Sequence, residues 1–527
     1  MLIKRLKRLT PRIVVVGVII GLLIIPLIPN SVFAATRDLY WFGGTGNWND
    51  TAHWSLSSNN VDLSAPQAVP DADDNVHFDL NSFTGAGQVI SVNVAGDCLN
   101  LDFTGVTNNP TFSVSGGALN IYGSLVYSAN MIVDFSASLT FIGTGNQTIT
   151  TNNVAMAHCG LVVNSATLTL TIQDSWNSPN NSLSVQAGTF DTNGKTITCG
   201  NFRDNGSAAA KTVTLGNSTI NCTTWNFASG NLTLTANTST INVSSSTFAG
   251  GGVATYNAVN LIGATSTISG SNTFSTLALS NGTTQTITFT DGTTQTASTF
   301  TLSGSSGHVH TLQGSGAAGW NLSDASGINS ADFISISRCT AGGGATFNAT
   351  GQSVDGDNNV GWNFIASVTT NALTNQAAYT ATGNGNVTDG GGKTITERGV
   401  CWNTTGTPTT ANSKATSAGT FGTYTVSITG LTPLYTYYMR SYFVNSNGTT
   451  YGAEITYTPQ YAQASSQLGN LAIPIVFLAL GILLILSFNF ESISGTDGIK
   501  TLLYIAIIIM ILFALLAAFQ PQLNTLP

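Results

Sequence analysis

The side chains of this 527-residue chain that could do chemistry are few and far apart. Only 7% of residues are Asp, Glu, Lys or Arg, against about 25% in an ordinary soluble domain. No Glu precedes Glu397, and Asp102, Asp134, Asp174, Asp191, Asp204 and Asp291 stand singly through the middle of the chain. Glycosidases and polysaccharide lyases need paired carboxylates, or a carboxylate with basic partners. The spacing therefore argues against an enzyme unless folding brings distant acids together. His308 and His310 fall on one strand face with no third ligand nearby, and a surface turn is the simpler reading than a metal pair. Two clusters do gather hard oxygen donors: Asp71, Asp73 and Asp74, and Asp355, Asp357 and Asn359. Calcium is the ion they would suit. The second starts like an EF-hand loop but has Val360 at the sixth position and Ala366 at the twelfth, where the loop needs Gly and Glu. Asx turns explain both clusters without metal, so no cofactor is expected and calcium stands as the alternative.

Aromatic residues offer a different chemistry. Trp41, Trp48 and Trp54 lie close together in sequence, the first two separated by a Gly-rich stretch. They form either a sugar-stacking platform or the hydrophobic plug that ends a repeat array, and the general need for such a plug favours the second. Together with Trp402 and Tyr435 they are the candidate contacts for a glycan or surface-protein ligand. Nucleic acid is excluded as a partner. Five of the 15 basic residues (Lys4, Arg5, Lys7, Arg8 and Arg12) crowd the start of the chain, leaving 10 basic against 23 acidic residues elsewhere. Phosphate binding needs the opposite sign. The six cysteines, Cys98, Cys159, Cys199, Cys222, Cys339 and Cys401, contain no C-x-x-C pair, and buried free thiols acting as small hydrophobes are the expected state.

The elements that must position these residues read as β-strands. Alternating runs such as Val89 to Val94, Leu168 to Ile172, Leu232 to Thr235 and Thr284 to Phe289 recur from Leu39 to Phe364, with turns at Asn193-Gly194, Asn281-Gly282 and Asp291-Gly292. Phe202, Phe227, Phe248, Phe274 and Phe300 repeat at spacings of 25, 21, 26 and 26. Such spacings suit the turns of a β-solenoid, with an array of β-sandwiches as the competing reading. About 250 residues at this repeat give roughly ten rungs. A solenoid also explains the missing charge. Equivalent positions on successive rungs lie about 4.8 Å apart, so like charges would repel there while Thr, Ser and Asn ladders add hydrogen bonds.

Two resemblances follow from particular residues. Trp41-x-Gly-Gly-x-Gly-x-Trp48 with Trp54 resembles the opening motif of secreted bacterial and phage-encoded β-repeat proteins, including passenger-like autotransporter repeats. The segment from Ser353 to Phe364 is similar to their closing motif, and the two bracket the whole run of alternating strands. That resemblance implies a surface location and a repetitive β fold. From Ile365 to Pro459, Glu397-Arg398-Gly399-Val400-Cys401-Trp402 and Leu431-x-Pro433-x-x-x-Tyr437 resemble a bacterial fibronectin type III module. The family's usual Thr is replaced by Tyr435. The resemblance implies a β-sandwich in which the Tyr437 hydroxyl ties back to nearby backbone. There is no Arg-Gly-Asp tripeptide, so integrin-type adhesion is not implied.

Both ends of the sequence are apolar. A basic stretch, an apolar run from Ile13 to Ile28 and Val32-Phe33-Ala34 have the three-part pattern of a secretory signal cut after Ala34. Leu471 to Phe490 and Thr501 to Phe519 are uncharged runs, each long enough to cross a lipid bilayer as a helix. Neither holds an ionisable residue, which favours a plain anchor over a transporter or pore. The expected organisation is a signal peptide (1–34), a Trp/Gly-rich cap (35–84), a solenoid (85–364) and a fibronectin-like sandwich (365–459). A linker (460–470) then leads to two membrane helices (471–490 and 501–519) joined by a cytoplasmic turn (491–500) and followed by a tail (520–527). This is an all-β ectodomain on a two-helix transmembrane hairpin. The expected role is adhesion or ligand contact at a cell membrane. A structural coat or virion component is the alternative, and a carbohydrate-active β-helix enzyme the third reading.

Overall fold

A computed structural model describes residues 36–58, 68–156, 158–252 and 255–461, with isolated positions at 498, 505, 506, 509 and 510. The expected secretory signal, most of the linker, the first apolar run and the tail, with all but those isolated positions of the connecting turn and the second apolar run, lie outside the described residues. Among the described residues no helix is long and apolar enough to cross a membrane. The chain divides into two compact units. Among the described residues, the first holds those up to Asn329 with Ile336–Phe347 and Gly356–Trp362, and the second holds Ser330–Ser335, Asn348–Asp355 and the run from Asn363 to Tyr461.

The repeats form a β-solenoid of about 13 turns, so the solenoid reading holds over the sandwich array. Its strands pair in parallel with the equivalent strands of neighbouring turns, and inward residues stack in register. One such column runs Leu119, Leu139, Leu161, Leu183, Phe202, Trp225, Phe248, Ile268 and Phe289. Another runs Trp176, Ile197, Ile220, Ile241, Val259, Leu277 and Phe300. Every side chain in both columns is at most 5% exposed. Burying a residue of this kind stabilises by about 1.5–3 kcal/mol relative to exposure.

The count exceeds the expected ten rungs for two reasons. The parallel ladder begins at the first described strand, with Asp38–Trp41 in register on Asn75–His77, ahead of residue 85 where the solenoid was expected to start. Some turns are also shorter than the Phe spacing implied, notably the successive steps from Ile241 to Val259 and from Val259 to Leu277. The five Phe residues are all buried but do not form one stack. Phe202 and Phe248 share a column, Phe300 lies on Leu277, and Phe274 pairs with Tyr256 and Ala297.

Asparagine does two jobs that a charged residue could not. At the corners, Asn108, Asn152, Asn193 and Asn231 have φ of +65°, +49°, +49° and +54°, a left-handed backbone that Asn tolerates better than most residues. Their side-chain amides donate to carbonyls one turn back: Asn108 to Phe83, Asn152 to Tyr127, Asn193 to Ile172 and Asn231 to Ala208, at 2.6–3.2 Å. On one sheet face Asn260 donates to Asn242 and Asn242 to Asn221, each at 2.8 Å, forming a ladder across three rungs. The Asn193-Gly194 turn joins strands that pair in parallel, so it is a solenoid corner and not a hairpin. All six cysteines are buried and free, and burial pushes the Cys199 thiol up to about 12.

In the second unit, two antiparallel sheets form a sandwich. One sheet contains Ala366–Thr374, Thr380–Gly390 and Gly422–Thr429; the other contains Ser413–Ser417, Glu397–Asn403, Tyr437–Asn445, Gly448–Tyr451 and Ile455–Tyr457. Val400, Trp402, Val426, Ile428, Met439 and Phe443 meet in its core. The Tyr437 hydroxyl accepts the Thr432 N–H at 3.0 Å, tying the strand entry to the preceding turn. Arg398 is 7% exposed and has its guanidinium capped by carbonyls, donating to Ala418, Thr420, Phe421 and Gly422 while lying 4.7 Å above the Tyr424 ring. The partition into units does not fall at residue 364, because Ser330–Ser335 and Asn348–Asp355 group with the sandwich.

Candidate functional site

Most of the side chains singled out by type turn out to be structural. Trp41, Trp48 and Trp54 are 0%, 0% and 2% exposed. Trp41 stacks on His53 at 4.5 Å and meets the edge of Trp54, which in turn meets Trp48 at 5.1 Å. With their faces covered, these rings plug the first turn and offer no sugar platform, which corrects their assignment as ligand contacts. Trp402 belongs to the sandwich core at 8% exposure, for the same reason. Of the five contact candidates only Tyr435 is open, at 60%.

The acidic clusters are also committed elsewhere. Asp74 is buried, and both its oxygens accept from the Arg37 guanidinium, with Nε at 2.7 Å; Asp71 lies 3.3 Å from the same guanidinium. Asp73 closes an Asx turn on Asp71. A cation thus already sits between these carboxylates, and it is part of the chain. In the second cluster Asp355 pairs with Lys393 at 3.1 Å, and Asn359 uses its oxygen on the Cys339 N–H at 3.0 Å. Asp357 has a φ of +75°, a turn conformation. Among the described residues no group of three His, Cys, Asp or Glu side chains is placed to hold a metal ion. His310 is not on a surface turn. It is fully buried as the first residue of the strand His310–Gly314, accepts the Gln285 N–H at 3.2 Å, and has its pKa lowered by burial.

The dispersed acids are each engaged separately. Asp102 is held down to about 2, first by the His77 imidazole 3.6 Å away, which also meets Asp38 at 3.2 Å. Asp174 accepts from Thr151, Asp191 from the Asn193 N–H, and Asp291 from the Gly316 and Ala318 N–H groups. Asp204 lies 3.8 Å from the buried Lys211 ammonium, whose pKa is lowered by desolvation.

Asp134 is different, because it lines a groove of about 520 Å³ on the outer face of the solenoid. The floor crosses four rungs through outward positions that are mutually in register: Ser138, Gly160, Ser182 and Asn201 in one column, Val162, Ser184 and Arg203 in the next. These columns are immediately beside the buried column that begins at Leu119. Gly160 keeps the floor low, since a Cβ there would lie 2.5 Å from Ser138 Oγ. Along one rim are Asp134 and His158, 3.6 Å apart and about two-thirds exposed. Asn181 stands at the same corner one rung on, and Arg203 and Asn205 close the other side. Arg203 Nε is buried without a hydrogen-bond partner, and among the described residues the guanidinium has no acidic partner. Phe135 is the one Phe, Tyr or Trp among the described lining residues, and at 1% exposure its ring presents no open face, so the groove offers mainly hydroxyls, amides, one cation and one His–carboxylate pair. Asp134 is the single carboxylate among the described lining residues, fewer than the two a glycoside hydrolase uses.

His158, Arg203, Asn181 and Asn205 carry no local motif. The usable signal was the stack itself: once Leu139, Leu161, Leu183 and Phe202 are aligned, the neighbouring outward positions fall into the columns of the groove. The chain matches no protein-family model and no curated protein.

Proposed function

We propose that this chain is an exported surface protein, anchored in a bilayer through residues 471–490 and 501–519, whose solenoid binds an acidic saccharide along its lateral groove. The observation that carries the reading is the Arg203 guanidinium, which has no acidic partner among the described residues and a buried Nε without a hydrogen bond, in a polar trough crossing four rungs. Polar groups repeat along the trough at the rung spacing of about 4.8 Å, close to the rise of one sugar ring in a linear glycan. Hydroxyls and amides suit sugar hydroxyls, and a planar guanidinium suits a carboxylate, which it holds through two parallel hydrogen bonds. Without an aromatic platform, a neutral sugar has little to stack on. The anchor is supported by the length and charge-free composition of the two C-terminal runs, and the export by the N-terminal pattern. In the sandwich, the strand order and the Tyr437 hydroxyl bond support the fibronectin-like reading of the sequence.

The test is a glycan array probed with the detergent-solubilised full chain. Uronic-acid or sialic-acid saccharides are expected to bind, and Arg203→Gln is expected to lower affinity about tenfold or more, the loss of a charge-assisted pair. Ser182→Trp, which fills the floor, should abolish binding. A chain that binds no glycan would favour a purely structural coat role, and turnover of an acidic polysaccharide would favour an enzyme.

A further inference from the structure

Tyr379, Leu434, Tyr435 and Tyr461 are large side chains that remain 58%, 63%, 60% and 46% exposed in the second unit. They are not scattered. The Leu431 N–H donates to Tyr379 O at 3.1 Å, and the Leu434 N–H to Pro459 O at 2.8 Å. Thr436 Oγ1 and Thr458 Oγ1 lie 2.9 Å apart. These bonds gather three segments, 376–379, 431–436 and 458–461, at one end of the sandwich. Leu434 has a φ of +70°, a conformation that costs a side-chain-bearing residue energy, and the turn holds it with its side chain in the open. None of the three segments contains Asp, Glu, Lys or Arg.

The chain leaves this same end. Tyr461 closes the described run, and Leu471, ten residues further, opens the first of the two uncharged runs. Ten residues span at most about 33–36 Å, so this end of the sandwich is tethered beside the bilayer if that run is inserted. Tyrosine is enriched where membranes meet water, with the ring among the headgroups and the hydroxyl hydrated. The patch has the corresponding composition: three phenols around one aliphatic tip, with no cation to demand anionic lipid.

We propose that this end of the sandwich rests on the outer leaflet, with Leu434 reaching the top of the acyl chains and Tyr379, Tyr435 and Tyr461 at headgroup level. The proposal depends on the membrane-anchor reading above and assigns Tyr435 to lipid instead of a soluble ligand. The test uses the full chain in phosphatidylcholine vesicles, labelled with an environment-sensitive fluorophore at Leu434→Cys, at Tyr379→Cys, or at Ser446→Cys. Ser446 is exposed beyond the opposite end of the strand Tyr437–Asn445, and the six native cysteines are buried. Lipids brominated on the acyl chain should quench the Leu434 label several-fold more than the Ser446 label, with the Tyr379 label in between. Equal quenching, or none at Leu434, overturns the proposal. A Leu434 label that is blue-shifted but unquenched means that protein covers the patch, which also overturns it. Failure of the chain to float with the vesicles instead removes the anchor reading, and this proposal with it.

Discussion

Asp389 shows how burial alone sets the behaviour of a single residue. Its side chain is 4% exposed and lies near the end of a sandwich strand, accepting the Gly391 N–H at 3.2 Å. Desolvation is the main cause that raises its pKa to about 6, with the nearby Asp332 charge adding to it and the Gly391 and Gly351 N–H groups opposing it. The folded state therefore holds this proton more tightly than the unfolded state does. Between the ordinary carboxylate range and about pH 6 the unfolded chain binds fewer protons, so this residue makes stability fall as pH rises through that window. Asp389→Asn keeps an acceptor for Gly391 and removes the titration. The variant is expected to be more stable than the parent above pH 6, by on the order of 2 kcal/mol, and to lose that advantage near pH 4. Unfolding of parent and variant, compared from pH 4 to pH 8, reads this difference free of the other carboxylates. A constant difference across the range would show that Asp389 ionises normally.

The strand ladders make the poverty of charge a testable property of the element. Asn242 donates to Asn221 and accepts from Asn260, both at 2.8 Å, in the middle of its column. Asn242→Asp keeps the acceptor but loses the donor, and a carboxylate would face the Asn221 oxygen at hydrogen-bond distance. At neutral pH this should cost about 1–3 kcal/mol, the cost of an unsatisfied polar contact. Because the folded state would favour the protonated acid, which can donate, the deficit should shrink as pH falls below about 5. A pH-independent deficit would mean that packing and not charge sets the preference for Asn. The same ladders define what could be read beforehand. Alternation in runs such as Thr284 to Phe289 gave the strands, since a period of two survives any arrangement of neighbours. The stacking register was not legible, because turns of unequal length hide it from a fixed period: the step from Ile220 to Ile241 is longer than the next one, from Ile241 to Val259. The Phe beat consequently mixed residues from different columns. Chemistry followed the same division. Trp41, Trp48 and Trp54 announced themselves by type but are core, whereas Asp134 and Arg203 meet in the groove from far apart in sequence and announced nothing.

For the whole molecule, the tyrosine end takes its meaning from placement at a membrane, which the two C-terminal runs would provide. Residues 471–490 and 501–519 contain no Asp, Glu, Lys, Arg or His, so nothing in either run opposes insertion. An Arg at the centre of such a segment costs about 2.5–3.5 kcal/mol on insertion scales. One substitution could be tolerated by a run as apolar as 501–519; one in each run should not be. The full chain is expected to stay with the membrane fraction after alkaline carbonate washing, as an integral protein does. The double variant Leu480→Arg with Leu512→Arg is expected to move largely into the supernatant, while its solenoid retains the parent's saccharide binding. Release of the parent chain by carbonate would mean that the two runs do not anchor it. Retention of the double variant would place the anchoring elsewhere in the chain. Loss of saccharide binding on release would show that the groove depends on the membrane, a dependence that its position within the first unit gives no reason to expect.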